Sequence, residues 1–257
     1  MSVVEIIFSP TGGTEKVSGI ICEQLDGERK RIDLCDVKTD FSQCMIDNDD
    51  NVLISMPVFA SRPPAVAIER LKQINGNGAK CSLVCVYGNG DYGNSLAEMK
   101  DAAQQSGFQV IAAIAAIAQH SIIPEYASGR PDEKDKEQLV DFANLIKNKK
   151  GKISSELNNE VTEEADDNES EPAPPSEPPL PKPDETCIKC GVCLEKCPLQ
   201  AISLPDFNAD INKCIFCMRC LKQCPNESRK VNEEVISNAA LALKEICSIR
   251  KENELFL

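Results

Sequence analysis

Hydrophobic positions in the first 150 residues follow two alternating rhythms. Predominantly apolar runs stand at Val3–Phe8, Val52–Met56, Ser82–Tyr87 and Phe108–Ala118, the mark of parallel strands buried on both faces. A shorter stretch, Arg29–Leu34, supplies a candidate second strand. Between these runs, Thr14–Leu25, Pro64–Ile74, Ser95–Ser106 and Asp132–Lys149 repeat apolar residues at helical spacing. The alternation predicts an α/β domain over residues 1–150, a doubly wound sheet of five parallel strands with helices on both faces. Val37–Asp50 carries no clear rhythm and is left unassigned.

The rhythm stops at 151–185, where acidic residues and prolines replace side chains that could be buried. Such a segment cannot offset its ordering entropy and reads as a linker, partly extended as polyproline II. A flexible chain of this length spans roughly 30 Å. Residues 186–228 form a small cysteine-rich module, and 229–257 hold a helix expected over Asn232–Lys251, with Val235, Ala239, Leu243 and Ile246 on one side.

Two copies of one motif dominate the module: CIKCGVCLEKCP at 187–198 and CIFCMRCLKQCP at 214–225. The C-x2-C-x2-C-x3-C-P spacing is that of bacterial ferredoxins, which hold [4Fe–4S] clusters. Zinc sites pair C-x2-C units across a longer gap and lack the third cysteine. The module, roughly 184–228, resembles the ferredoxins with two such clusters. That resemblance implies a crossed ligand set: Cys187, Cys190, Cys193 and Cys224 on one cluster, and Cys214, Cys217, Cys220 and Cys197 on the other. It also implies a small α+β ferredoxin-like domain.

The first strand runs into SPTGGTEKV, residues 9–17, and then a helix. Hydroxyls on Ser9, Thr11 and Thr14, with Gly12 and Gly13 exposing their amides before a helix N-terminus, suit a bound phosphate. An ordinary helix cap would use the same residues. The spacing fits neither a dinucleotide fingerprint nor a Walker loop. It is similar to the [ST]-x-T-G-x-T phosphate loop of flavodoxins, which holds FMN. Two further loops fall where such a fold contacts the flavin ring, MPVFASRPP at 56–64 and YGNGDYGN at 87–94.

Residues 1–150 together with the module resemble the flavodoxin–ferredoxin fusion proteins of anaerobes. FSPTGGTEKV, PVFASRPP, VYGNGDYGN and QHSIIPEYASGRPDEKD carry the likeness. It implies a flavodoxin-like fold and FMN phosphate at Ser9, Thr11, Gly12, Gly13 and Thr14. It further implies ring contacts from Pro57, Val58, Phe59 and Ala60 and from Gly88, Asn89, Gly90, Asp91 and Tyr92. No tryptophan exists in the chain, so the stacking aromatic falls to Tyr92 or Phe59.

Composition narrows the partners. The formal charge is −13, from 41 acidic and 28 basic residues, which disfavours nucleic acid. No apolar run reaches membrane-spanning length, and the N-terminus opens as a strand without a basic leader. A cytoplasmic location and a redox-protein donor or acceptor are expected. His120 is the only histidine. It follows the fifth strand on the expected flavin side, where proton transfer to a reduced flavin is the alternative to a solvent-facing or hydrogen-bonded loop role. Arg62 and Arg130 are assigned to surface or loop anchoring. Cys22, Cys35, Cys44, Cys81, Cys85 and Cys247 read as small buried hydrophobes. The expected function is electron relay between two [4Fe–4S] clusters and FMN. The alternatives are a flavin-dependent reductase of a small acceptor such as a quinone or nitro compound, or a redox sensor.

Overall fold

A computed structural model describes residues 2–149 and 178–257. Most of the expected linker therefore lies outside the described residues.

β1 (Ser2–Ile7), β3 (Asn51–Pro57), β4 (Lys80–Tyr87) and β5 (Gln109–Ile117) are buried almost throughout, as their continuous apolar runs require. With β2 (Glu28–Asp33) they form parallel pairs in the order β2-β1-β3-β4-β5. This is the flavodoxin-like order, and its switch point falls between β1 and β3. α1 (Gly13–Cys22) and α4 (Glu133–Lys147) cover one face through Val17, Ile21, Leu139 and Ala143. α2 (Ala65–Leu71) and α3 (Ser95–Gln105) cover the other through Leu71, Leu96 and Met99. The charged β2 lies at the sheet edge, where Arg29 closes on the fully buried Glu5 at 2.8 Å while the Ser18 hydroxyl donates to the same carboxylate. The unassigned Val37–Asp50 contains one 3₁₀ turn, Phe41–Gln43, and plugs Phe41 and Ile46 into the core.

In the second domain, β6 (Lys182–Pro183) pairs antiparallel with β7 (Arg229–Lys230). Residues 182 and 183, assigned by composition to the linker, are thus part of the module. Proline at a two-residue edge strand needs no ladder donor, so composition alone misplaced the boundary. Two short helical turns, α5 (Val192–Glu195) and α6 (Arg219–Lys222), start inside the cysteine motifs.

α7 (Glu233–Cys247) begins where the Asn232 side chain accepts from the Glu234 amide. The expected helix to Lys251 is cut short. The Asn89 side-chain amide donates to the Cys247 and Ile249 carbonyls at 2.7 and 2.8 Å, satisfying groups that the helix end leaves open. The chain then runs extended, and β8 (Glu254–Phe256) pairs antiparallel with β5, making the sheet six-stranded. Three residues are too few to show a period-2 pattern, so this strand left no trace in the hydrophobic rhythm.

Segment 248–257 is held by buried polar contacts. The Asn253 side-chain oxygen accepts from the Ile117 amide at 2.9 Å, and its NH2 donates to Gln138 at 2.8 Å and Asp135 at 3.1 Å. Arg130 pairs with buried Asp135 and donates to the Lys251 carbonyl at 2.8 Å, the anchoring role expected of it. Arg250 bonds Asp132 at 2.6 Å, which holds that carboxyl well below its ordinary range. Elsewhere Arg70 bridges the domains, donating to the Leu34 and Pro198 carbonyls, both at 2.6 Å. The Tyr126 hydroxyl donates to the Ala240 carbonyl at 2.5 Å.

Replacing Asn253 with alanine strands the buried Ile117 amide. A loss of about 1–3 kcal/mol is expected, read as a lowered denaturation midpoint. An unchanged midpoint would mean that 248–257 contributes nothing to the fold.

Candidate functional site

The β1–α1 loop sets the floor of the site. Ser9 accepts the Glu15 amide at 3.0 Å, and Gly12 caps α1 with φ +92°, a left-handed conformation that glycine adopts without strain. Thr11, Gly13 and Thr14 then line a cavity of about 320 Å³ at the C-terminal ends of the strands. No lysine or arginine is among the residues lining it. An anion there would be held by amides, hydroxyls and the helix N-terminus. Ser9 and Gly12 shape the loop from behind and do not themselves line the cavity.

The end of β3 contributes Pro57 and the loop after it Val58, Phe59 and Ala60. The Phe59 and Arg62 backbones pair across a tight turn whose central residues, Ala60 and Ser61, have positive φ. Arg62 itself pairs with Glu98 at 2.7 Å on the surface.

From the β4 loop only Gly88 lines the cavity. Asn89, Gly90, Asp91 and Tyr92, expected at the flavin ring, are placed elsewhere. Asn89 holds the end of α7, Gly90 accepts from the Lys251 ammonium, and the Tyr92 hydroxyl donates to Glu254 at 2.9 Å. Tyr92 also tilts against Tyr87, ring centroids 5.3 Å apart. Glycines and an aromatic that suit a flavin loop equally suit a loop receiving another chain segment. Of the two expected aromatics, only Phe59 lines the cavity.

The β5 end adds His120, on the side where its position after the fifth strand puts it, together with Gln119, Ser121 and Ile122. His120 lines the cavity, and its Nδ1 accepts the Ile122 and Ile123 amides at 3.2 and 3.0 Å. Nε2 must therefore carry the proton of the neutral ring. Burial lowers its pKa from 6.5. A Cβ on Gly88 would stand 2.5 Å from His120 Cδ2, so this glycine makes room for the imidazole.

The ceiling comes from the second domain: Pro179, Ile215 and Phe216. Ile215 and Phe216 belong to the CIFC stretch of the second cysteine motif. Nothing in a one-dimensional pattern marks them as cavity residues, because their position depends on how the domains dock.

The eight motif cysteines divide between two further cavities. One is lined by Cys187, Cys190, Cys193 and Cys224, the other by Cys197, Cys214, Cys217 and Cys220. The motifs, 27 residues apart, share backbone shape. Lys189 and Phe216 have positive φ, as do Gly191 and Met218, and Gln200 and Glu227. Alternating left-handed residues turn successive amides inward as an anion-binding nest. The Ala201 and Ser228 amides donate to the Cys197 and Cys224 sulfurs, each at 3.3 Å.

Burial pushes the Cys214, Cys217 and Cys220 thiols up, so thiolate at these depths calls for nearby positive charge. The buried side-chain nitrogens left without a partner, among the described residues, are Nε of Arg219 and Nε of Arg229. Arg219 lines the second cysteine cavity and Arg229 the first. Donor N–H groups and four thiols around each cavity fit an anionic iron–sulfur cluster. Among the described residues no three His, Cys, Asp or Glu side chains close on a single metal ion.

Residues 186–229 match the family model of the 4Fe-4S dicluster domain. Comparison with curated proteins finds no match. Among solved structures, a Streptococcus pneumoniae flavodoxin is 17% identical, covering 56% of this chain and 97% of its own, with a TM-score of 0.42. The Megasphaera elsdenii flavodoxin is 19% identical over 56% of this chain and 98% of its own, TM-score 0.39. The rubredoxin oxygen:oxidoreductase of the anaerobe Desulfovibrio gigas is 18% identical over 57% of this chain and 35% of its own, TM-score 0.41. The strand order and the family match make this chain a flavodoxin-like domain followed by a 4Fe-4S dicluster domain. No helix among the described residues is long and apolar enough to cross a membrane.

The lone histidine offers a direct check. Its NMR titration midpoint should lie below 6.5. The unfolded chain then takes up the proton first, so His120 contributes stability that is complete above the unfolded value. That contribution is lost as pH falls toward the folded one. A midpoint at or above 6.5 would contradict the buried, Nδ1-accepting placement.

Proposed function

We propose that the protein is an electron relay in which two [4Fe–4S] clusters exchange electrons with FMN across a fixed domain contact. The observation that carries this is Ile215, which lines both the strand-end cavity and the Cys197, Cys214, Cys217 and Cys220 cavity. One short stretch of chain thus separates two candidate cofactor sites, and its neighbour Phe216 faces the first.

On this reading Thr11, Gly13 and Thr14 bind the FMN phosphate, with Ser9 and Gly12 shaping their loop. Pro57, Val58, Phe59, Ala60 and Gly88 border the ring, and Phe59, Tyr87 and Phe216 are the aromatics that line the cavity beside it. Cys187, Cys190, Cys193 and Cys224 hold one cluster; Cys197, Cys214, Cys217 and Cys220 hold the other. When bound, the clusters supply one-electron steps and the flavin one- or two-electron storage. The chain's own part is to fix these sites side by side, exclude water with Ile215, Phe216 and Pro179, and present the neutral His120 N–H.

The cavity lined by Cys187, Cys190, Cys193 and Cys224 lies beside exposed residues. Cys190 is exposed and Ile188 is 66% exposed, which suits contact with an external redox protein. The relay reading has more support than the reductase reading. Pro179, Ile215 and Phe216 already stand against the strand-end cavity, where a small acceptor would have to share the space with the flavin.

Anaerobic purification should yield about one FMN and about eight irons per chain. Replacing Thr11 and Thr14 with alanine should strip the flavin and leave the iron unchanged. Flavin retained at parental stoichiometry would refute the phosphate loop. Cys197→Ala should damage the EPR signal of the cluster at Cys214, Cys217 and Cys220. Loss of the other signal instead would overturn the crossed ligand set.

A further inference from the structure

The two cysteine motifs are copies 27 residues apart, so each residue of the first has a counterpart in the second. The correspondence extends past the fourth cysteines. The Ala201 and Ser228 amides, one repeat apart, donate to the Cys197 and Cys224 sulfurs at the same 3.3 Å. One position further on the copies part, with Ile202 in the first and Arg229 in the second. Each lines the cavity to which its own motif sends its fourth cysteine, Ile202 with Cys197 and Arg229 with Cys224. Both side chains are buried. Equivalent places therefore hold a hydrocarbon beside the quartet of Cys197, Cys214, Cys217 and Cys220 and a cation beside that of Cys187, Cys190, Cys193 and Cys224.

The cation touches its quartet. Arg229 is 2% exposed, and its Nη1 stands 3.7 Å from the Cys193 sulfur. Nη1 also donates to the Phe207 carbonyl at 2.9 Å and Nη2 to the Pro181 carbonyl at 2.7 Å, while Nε has no partner. These carbonyls are neutral, and among the described residues no carboxylate pairs with the guanidinium. A buried charge is retained at a cost unless something of opposite sign lies close. The cavity of the other quartet is lined by Arg219, but that charge is already answered. Arg219 Nη2 stands 3.7 Å from the Asp33 carboxylate and Nη1 donates to the Ser9 carbonyl at 3.3 Å, both in the first domain.

We propose that Arg229 makes the two clusters unequal, raising the reduction potential of the one at Cys187, Cys190, Cys193 and Cys224 relative to the other. It touches a ligand sulfur, so it is a positioning residue, and the inference rests on the cluster assignment above. Net charge and hydrogen bonds to the sulfurs are among the levers that set such potentials. Each added electron increases the negative charge beside the guanidinium, and low-dielectric surroundings leave that attraction poorly screened. An electron shared between the clusters is thereby drawn toward the one beside the exposed Cys190.

The test is Arg229→Gln, which keeps an N–H donor and loses the charge, with Arg229→Lys beside it, in the full chain. Iron is counted, and each cluster's potential is followed by EPR in an anaerobic redox titration. Cys187→Ala and Cys214→Ala assign the two signals. In the parent, about eight irons and two cluster signals establish the cluster assignment independently of the Arg229 variants; their absence would defeat that assignment instead. The glutamine variant should lower the reduced-to-oxidised ratio of the first cluster at least tenfold at fixed poise, about 59 mV for a one-electron couple. It should shift the second cluster by less. The lysine variant should stay near the parent at both. A smaller shift at the first cluster with iron retained, or a shift as large at the second, would overturn the proposal. If the glutamine variant loses iron, the lysine variant decides. Parental iron and a parental first-cluster potential there support the charge role. Iron lost there too, or a lowered first-cluster potential, would confine Arg229 to bracing the Phe207 and Pro181 carbonyls and overturn it.

Discussion

The arrangement depends on the attachment of segment 248–257 to the edge of the first domain's sheet. β8 pairs with β5, Asn253 takes the Ile117 amide, and Asn89 closes α7. These contacts return the chain to the first domain after the cysteine module. The module is therefore tied through covalent chain on both sides, by the linker before it and by α7 after it. A flexible tether alone would supply only a raised local concentration. Two attachments, with Arg70 and Tyr126 bracing between them, turn concentration into position. The ceiling of the strand-end cavity exists only because of that.

Much of this was legible in sequence. The four buried strands announced themselves because strands covered on both faces are predominantly apolar, and a rare polar residue such as Glu5 is paired inside. Asp132 and its partner Asp135 form the capping box that starts α4. The cysteine spacing is a property of short loops, and loops written twice fold twice. What was illegible was whatever depends on docking. Ile215 and Phe216 look like ordinary apolar residues between ligands. YGNGDYGN looked like a flavin loop because both tasks need tight turns and polar tips. The helix was overextended because Ser248–Lys251 lacks a glycine or proline to stop it, and the stop is supplied by a side chain from another domain.

Charge is distributed against the overall composition. The chain is acidic in sum, yet Arg70, Arg130, Arg219 and Arg229 are the side chains at its internal junctions. Arginine suits these places because its planar fork can satisfy several carbonyls at once and its charge never titrates away. Arg130 and Asp135 anchor the returning segment, Arg70 ties the domains, and Arg219 reaches from the cysteine module to the β1–α1 loop.

The order of synthesis gives the edge pairing a temporal meaning. β5 is made on the order of 100 residues before β8, which at roughly 5–20 residues per second is several seconds or more. During that interval the first domain can fold as a five-stranded unit with β5 bare and its strand-end cavity without a ceiling. Any ligand enters such an open cleft more readily than a closed one. The pairing of β8 then covers a bare edge that would otherwise invite another strand, and it seals the cleft in the same act. Assembly thereby acquires a sequence, the open cleft first and the paired edge afterwards, written into the distance along the chain between two neighbouring strands.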